Sequence, residues 1–372
     1  IDRCQAAAAG IVLHTMITDV QIIVVSDGST DRTVEITKHY SDIKLIVFEK
    51  NRGYGAAIKT GWELGKGDFL GFMDADGTCD PSYFIKMCQT IEKEKADVVV
   101  GSRMGKKSKM PVIRRFGNIL FAQLLKLLSK KHVTDSASGM RVVRKSSLNQ
   151  LFPLPDGLHF TPAMTARILM DHNLKIIEID MDYKERIGRS KLSVLKDGVR
   201  FLNIIISTAL YIRPSSLSIP LSILIGVCGL IVATNPIQYY IVHGTVLESM
   251  IYRFIMLFLM GSAVMSLLCF TVISEHVIAL TLLKYNRTIQ LYSSWWAPSR
   301  MRIYLFAGGV LSVIAFFLIL PGIEQFLQTG EVFQETLHWS RVMLAGFLFL
   351  DFIQLILTAL SIKVINSLHT RQ

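Results

Sequence analysis

Beyond residue 214 the sequence runs through four nearly uncharged apolar stretches, and no other feature restricts the fold so strongly. They cover about residues 215–234, 254–274 (FIMLFLMGSAVMSLLCFTVIS), 303–320 (IYLFAGGVLSVIAFFLIL) and 342–364 (VMLAGFLFLDFIQLILTALSIKV). Each comes close to the roughly 20 apolar residues that cross a bilayer. A soluble fold would have to bury all four, and the sequence around them carries too little polar surface for that. Charge divides the chain at the same place. Up to Arg213 there are 32 Lys and Arg against 23 Asp and Glu, and from Pro214 onward only 8 against 6. The expected organisation is a catalytic or binding domain over 1–191, an interfacial amphipathic helix over 192–214 and a four-span membrane domain over 215–372.

Cation placement sets the expected orientation. The 284–302 loop carries Lys284, Arg287, Arg300 and Arg302 with no acid, whereas the 321–341 loop holds Glu324, Glu331 and Glu335 against Arg341. The first loop is expected in the cytosol, and an even number of spans then puts both termini and the large domain there too, in a prokaryotic plasma membrane or an ER-type membrane. Trp295 and Trp296 suit an interfacial anchor. Five cysteines (Cys4, Cys79, Cys88, Cys228, Cys269) lack metal-type or paired spacing and suit a reducing compartment. The start of the sequence does not read as a cleavable signal peptide.

The first 191 residues alternate strand and helix. Expected strands are 20–29 (VQIIVVSDGS), 43–49, 68–74 (DFLGFMD) and 96–103 (ADVVVGSR); expected helices are 30–40, 53–65 and 81–94, the last with Pro81 at its first turn. Such alternation predicts a parallel sheet between helices, with ligands at the carboxyl ends of strands. Ser26-Asp27-Gly28, Asp74-Ala75-Asp76 and Gly101-Ser102-Arg103 all fall there. The pair Asp74 and Asp76, with one residue between them pointing away, puts two carboxylates on one side of the chain. Hard oxygen donors of that kind suit Mg²⁺ or Mn²⁺.

Six pieces in order, VVSDGSTDRT, KNRGYGAAIKTG, FMDADGTCDP, VVGSRM, ASGMRVVRKS and YKERIGRSKLS, resemble the family 2 glycosyltransferases and, among them, the polyprenyl-phosphate (dolichyl-phosphate type) sugar synthases. The resemblance covers about residues 20–210. It implies an α/β domain of the GT-A (nucleotide-diphospho-sugar transferase, Rossmann-like) fold followed by an all-α membrane domain. It also implies a metal-dependent hexosyltransferase that uses a nucleotide-sugar, of GDP-mannose or UDP-glucose type, and a polyprenyl-phosphate acceptor. Carried over residue by residue, Asp27 and Gly53 belong to the donor pocket, and Asp74 and Asp76 hold the divalent metal on the donor diphosphate. Arg103, either Arg114 or Arg115, and Asn118 receive the lipid phosphate. Ser138, Gly139 and Arg141 form a loop beside the acceptor, with Asp76, Arg103 and Arg141 named as catalytic. Arg186, Arg189 and Lys191 form a closing arm over phosphates.

The residues themselves favour a phosphate acceptor. A hydroxyl acceptor needs a general base, and hydroxyl-using relatives place a carboxylate just ahead of the helix that here begins HFTPAMT; this chain has His159-Phe160-Thr161 at that place. His159 as base is the competing idea. A lipid monophosphate is already ionised near neutral pH and needs none. Residues 114–131 and 192–214 are basic and amphipathic, the pattern of helices lying in a membrane interface. The net charge of +11 agrees with an anionic membrane surface and anionic substrates, while the interleaved basic and aromatic pattern of a nucleic-acid-binding sheet is missing. Self-association is left open.

Two departures from the family pattern stand out. Ser26 replaces the first of two usual acids. Residues 1–16 read as the helix that normally follows the first strand, so that strand, which belongs in the middle of the sheet, is expected to be missing from this sequence and donor binding to be weaker for it. A processive polysaccharide synthase and a catalytically silent membrane scaffold are the alternatives; the first lacks a Gln-x-x-Arg-Trp motif, the closest text being QLYSSWW.

Overall fold

The computed structural model describes residues 1–369 apart from 106–107, 130, 172, 185–193, 285–300 and 333–336. The closing-arm residues Arg186, Arg189 and Lys191, the anchor pair Trp295 and Trp296, and most of the 284–302 loop lie outside the described residues. The chain forms two compact units, Ile1–Ile212 and Arg213–Gln372.

In the first unit, α1 (Asp2–His14) is followed by β1 (Ile23–Ser26), α2 (Thr33–Thr37), β2 (Lys44–Val47), α3 (Tyr54–Leu64), β3 (Phe69–Phe72), α4 (Tyr83–Lys93), β4 (Val98–Ser102), α5 (Val112–Ser129), β5 (Arg141–Arg144), α6 (Leu148–Leu151), α7 (Phe160–Met170), β6 (Ile176–Asp180) and α8 (Val194–Ile212). Two sheets result. β1 and β2 pair in parallel, Val24 against Leu45; the other sheet has the order β3-β5-β4-β6. The expected parallel ladder is altered in two ways. β5 enters antiparallel between β3 and β4, and its four residues Arg-Val-Val-Arg are too short to show a period in sequence. Secondly, β1 and β3 are not hydrogen-bonded to one another, so the sheet is divided.

Side-chain alternation builds two cores from one sheet. Val99, Val142 and Ile179 face Met87, Cys88 and Ile91 of α4 together with Ile11 of α1. Val98, Val100 and Val143 face Trp62 of α3 and Phe160, Met164 and Ile168 of α7. β4 is buried along its whole length, which accounts for its uninterrupted Val-Val-Val run.

The second unit contains α9 (Ser215–His243), α10 (Ile251–Lys284), α11 (Met301–Thr329) and α12 (Trp339–His369). All four are long and apolar enough to cross a membrane. At about 1.5 Å per residue they run about 44–51 Å, against an apolar layer of about 30 Å, because helical hydrogen bonding continues past the apolar windows legible in sequence. Small and polar residues mediate their packing. Gly261 sits against the Phe347 ring and Gly308 against Phe352, Ser218 and Thr271 share a 2.5 Å hydroxyl contact between α9 and α10, and His276 meets Asn366 at 2.8 Å between α10 and α12.

Back in the α/β unit, a dry polar network fixes the segment between α5 and β5. Asp135, 1% exposed, accepts two hydrogen bonds from the Arg103 guanidinium, at 2.7 and 2.8 Å, and a third from the Arg103 backbone. Asn118 of α5 donates to the same carboxylate at 3.0 Å and accepts from Ser136. Glu178 of β6 accepts the amides of Thr134 and Asp135. Burial alone would raise the Asp135 pKa, but the Arg103 guanidinium overrides it and holds the carboxyl below the usual range. Asp135→Ala would leave a buried cation without its partner, and should cost about 3–5 kcal/mol in urea unfolding of the purified chain. Since the folded carboxyl is the stronger acid, its contribution is complete above the ordinary aspartate pKa near 3.9 and disappears as pH falls through the lower folded value. The native chain should therefore lose stability more steeply than Asp135→Asn below about pH 4; parallel pH profiles would contradict the assignment.

Candidate active site

Three strand ends and one loop supply the polar groups. At the end of β1, Asp27 accepts hydrogen bonds from the amides of Arg52 (2.6 Å) and Gly53 (3.1 and 3.3 Å), while Asn51 donates to its carbonyl. Asp27 thereby ties β1 to the loop that starts α3. Gly53 has φ +108°, a conformation open to glycine, and lies against the Asp156 carbonyl, which accepts the amides of Gly55 and Ala56 and so satisfies the first turn of α3. The two expected donor-pocket residues thus touch one another, and part of the Asp27 carboxylate is committed to this internal tie.

The chain leaves β3 into Asp74 and Asp76, both half-buried. Asp76 Oδ1 accepts from the Thr78 amide at 3.1 Å and its hydroxyl at 2.6 Å, a turn made tight by Gly77 at φ +75°. Asp74 lies against Gly139, where a Cβ would stand 2.5 Å from Asp74 Oδ2, and its charge reaches the Tyr54 phenol at the start of α3. Burial, then the Asp74 charge, push the Tyr54 phenol well up. Burial pushes the Cys79 thiol to about 11, with the Thr78 hydrogen bond and Arg103 opposing and the two aspartates adding to the rise. Tyr54 therefore senses Asp74, Arg141 and Arg103, and Cys79 senses Asp74, Arg103 and Asp76. Asp74 and Arg141 both lie against the Ser138-Gly139 segment.

Arg141 is completely buried. Its Nε donates to the Ser138 carbonyl and one amino group to the Ser136 carbonyl, each at 3.0 Å, and the other amino group has no partner among the described residues. Burial lowers its pKa to about 10, with Asp135 opposing the fall, so the group is still a cation at neutral pH. Ser138 is also buried and donates to the Gly101 carbonyl at 2.5 Å.

The expected acceptor cluster separates into two kinds of residue. Arg103 and Asn118 are bound to Asp135, and Ser138 to Gly101. Arg115 donates to the Met104 carbonyl at 2.9 Å; Arg114 makes no side-chain bond among the described residues. Beside these arginines α5 exposes Val112, Ile113, Phe116, Leu120 and Leu127, with Val112 83% and Leu127 72% exposed. His159 stands just before α7, where burial and then the Arg200 guanidinium lower its pKa against the pull of Asp197. Sequence reasoning missed Asp135, Glu178 and Tyr54. Asp135 had a signal in Thr-Asp-Ser after a basic helix, and Tyr54 one in its place between two glycines, but neither signal names a partner.

A divalent cation fits the acid pair. No group of three or more His, Cys, Asp or Glu side chains among the described residues could cage an ion. One or two carboxylates completed by substrate phosphates and water are, however, the usual way to hold Mg²⁺, and the cradle at Gly139 leaves space for the Asp74 carboxylate alone.

The family described as Glycosyl transferase family 2 matches residues 10–152. The low-salt glycan biosynthesis hexosyltransferase Agl6 of Haloferax volcanii is 30% identical over 230 residues, 59% of this chain and 54% of that protein. The dolichyl-phosphate hexose transferase of the same organism is 31% identical over 182 residues, 47% of this chain and 75% of that protein. Among solved structures, glucosyl-3-phosphoglycerate synthase from Mycobacterium tuberculosis, in complex with Mn²⁺, UDP-glucose and phosphoglyceric acid, aligns at 17% identity and a TM-score of 0.42, covering 55% of this chain and 75% of that one. The chain spans about half the length of Agl6. With three quarters of the dolichyl-phosphate hexose transferase matched, and the family's own pattern matched from α1 to the end of α6, the chain belongs to glycosyl transferase family 2.

Proposed function

We propose that the chain transfers one sugar from a nucleotide-sugar, of UDP-glucose or GDP-mannose type, to a polyprenyl phosphate at the cytosolic membrane face, with inversion at the anomeric carbon. The observation that carries this reading is the meeting of Asp74 with the Ser138-Gly139 segment that also binds the buried Arg141, one of whose N–H groups has no partner among the described residues. Relatives named as dolichyl-phosphate transferases of hexose, glucose and N-acetylglucosamine support it.

Asp74 and Asp76 would hold a divalent cation, which when bound neutralises charge on a leaving diphosphate. Asp27 and Gly53 shape the donor loop. An oxygen of the acceptor phosphate forms the bond to C1 as the bond from C1 to the diphosphate oxygen breaks, and the electron pair leaves with the nucleoside diphosphate. The attacking oxygen carries no proton, so no general base is required. What remains for the protein is alignment and charge compensation. Arg114, on the helix with the exposed apolar face, is placed to meet the lipid phosphate, and Arg141 supplies a fixed positive field to the cluster. α5 is read as an interfacial helix, its Phe116 and Leu120 in the acyl boundary and Arg114 at headgroup depth.

Three outcomes test this. Purified chain given a panel of nucleotide-sugars and a short polyprenyl phosphate should form a lipid carrying one sugar, with EDTA abolishing the product and Mg²⁺ or Mn²⁺ restoring it; a polymer would instead support a processive synthase. Asp76→Ala and Arg141→Ala should each lower turnover by about 10²-fold or more, and unchanged turnover in both would defeat the site. Paired Phe116→Glu and Leu120→Glu should reduce transfer to lipid in vesicles by about tenfold or more while leaving slow nucleotide-sugar hydrolysis unaltered; equal loss of both activities would remove α5 from the interface.

A further inference from the structure

Two buried arginines of the α/β unit are held in opposite ways. Arg103 closes on the Asp135 carboxylate, so its charge is neutralised inside the protein. Arg141 is clasped instead by backbone carbonyls, Nε on Ser138 and one amino group on Ser136, and its other amino group has no partner among the described residues. Carbonyl dipoles satisfy N–H groups and leave the net charge in place. Because a guanidinium is a rigid planar fork, those two bonds also fix the remaining amino group. The clasp is itself anchored from α7. The hydroxyl of the buried Thr165 donates to the Ser136 carbonyl at 2.8 Å, sharing its one proton with the Thr161 carbonyl a turn earlier at 3.0 Å. The bond back to Thr161 restricts the Thr165 rotamer, and ten of the eleven residues of α7 are buried. The Ser136 amide and hydroxyl are bound in turn to Asn118, so its carbonyl cannot turn away.

A buried cation with an unsatisfied donor is costly, and a fold that retains one regains that cost when an anion completes it. Donors fixed in advance also give up no orientational freedom on binding. We propose that Thr165 is a positioning residue which, through the Ser136 carbonyl, holds Arg141 against the same Ser138-Gly139 segment as Asp74, its charge uncancelled and one amino group kept for a substrate phosphate. Lipid phosphate and donor diphosphate offer the same chemistry to a guanidinium. This role rests on the reading of Arg141 as a cation that serves substrate, and it gives Thr165 no contact with the reacting atoms.

The test measures affinity apart from turnover. UDP and, separately, GDP are titrated with Mn²⁺ into the purified full chain by calorimetry, and the KM for a short polyprenyl phosphate is measured at saturating donor. The variants are Thr165→Val, Thr165→Ser, Arg141→Gln and the double variant Thr165→Val with Arg141→Gln. Thr165→Val keeps the shape of the side chain, and the Ser136 carbonyl keeps its bond from Arg141, so the thermal midpoint should stay near the native one. Arg141→Gln should weaken at least one of the two phosphate ligands by about tenfold, and the ligand weakened, lipid phosphate, nucleotide or both, gives the source of the anion. Thr165→Val should weaken the same ligand by about tenfold, Thr165→Ser should restore it, and the double variant should bind no worse than Arg141→Gln alone. A residue that merely supported the fold would add its loss to that of Arg141→Gln. Thr165→Cys, a weak donor of similar size, decides should Thr165→Val prove unstable, and Arg141→Lys, which keeps the charge without the fork, stands in should Arg141→Gln not fold. Additive losses, or native affinity in Thr165→Val beside a loss in Arg141→Gln, would overturn the positioning role and leave the reading of Arg141 standing. Native affinity for both ligands in Arg141→Gln would overturn that reading and, with it, the role given to Thr165.

Discussion

A charged pair taken out of water organises the α/β unit. Arg103 leaves the end of β4, Asp135 lies between α5 and β5, and the two groups close on one another at 2.7 and 2.8 Å with Asp135 wholly inside the protein. Desolvating both charges is costly, and attraction offsets that cost only when the remaining lone pairs are also satisfied. Here they are, by Asn118 and by backbone amides. The consequence is positional. Once Asp135 is fixed, Ser136, Ser138 and Gly139 follow along the chain, and through their carbonyls and their missing side chain they place Arg141 and Asp74. Residues that resemblance assigns to substrate, Arg103 and Asn118, hold the frame in which other residues are presented.

The fold was legible wherever a periodic pattern and a stop signal coincided. The apolar runs ending in Asp27, Asp74 and Arg103 correspond to β1, β3 and β4, each strand end falling one to three residues inside the expected one. The charged ends of Arg141–Arg144 hid β5, whose reversed direction depends on β3 and β4 flanking it and so cannot be read locally. The same reasoning separates what was legible of the site. Asp74 and Asp76 announce themselves by type, spacing and place at a strand end. The partner of Arg103 lies 32 residues away, and nothing within a window of sequence distinguishes an arginine destined for a buried carboxylate from one left for a ligand. Tyr54 was visible only near the start of a helix; its ring is set by Phe160, more than a hundred residues further on.

The helical unit follows a different logic. Its side chains face a medium as apolar as themselves, so burial of leucine gives little reason for one helix to prefer another. Selectivity comes instead from close approach at Gly261 and Gly308 and from the few polar contacts, Ser218 with Thr271 and His276 with Asn366. α10 and α12 run in the same sense, since Phe258 meets Phe347 and His276 meets Asn366.

The division of the sheet has a thermodynamic corollary. A two-stranded ribbon is marginal in water by itself, and β1 with β2 is half-exposed along most of its length. What anchors it is the packing of α3 on β1 and the tether from Asp27 to Arg52 and Gly53. The β4 region, buried on both faces, belongs to the last part of the domain to open, and the β1–β2 ribbon to the first. Any molecule that settles on the Asp27 loop would then bind the least cooperative piece of the fold, and mass action would make its occupancy a local source of order.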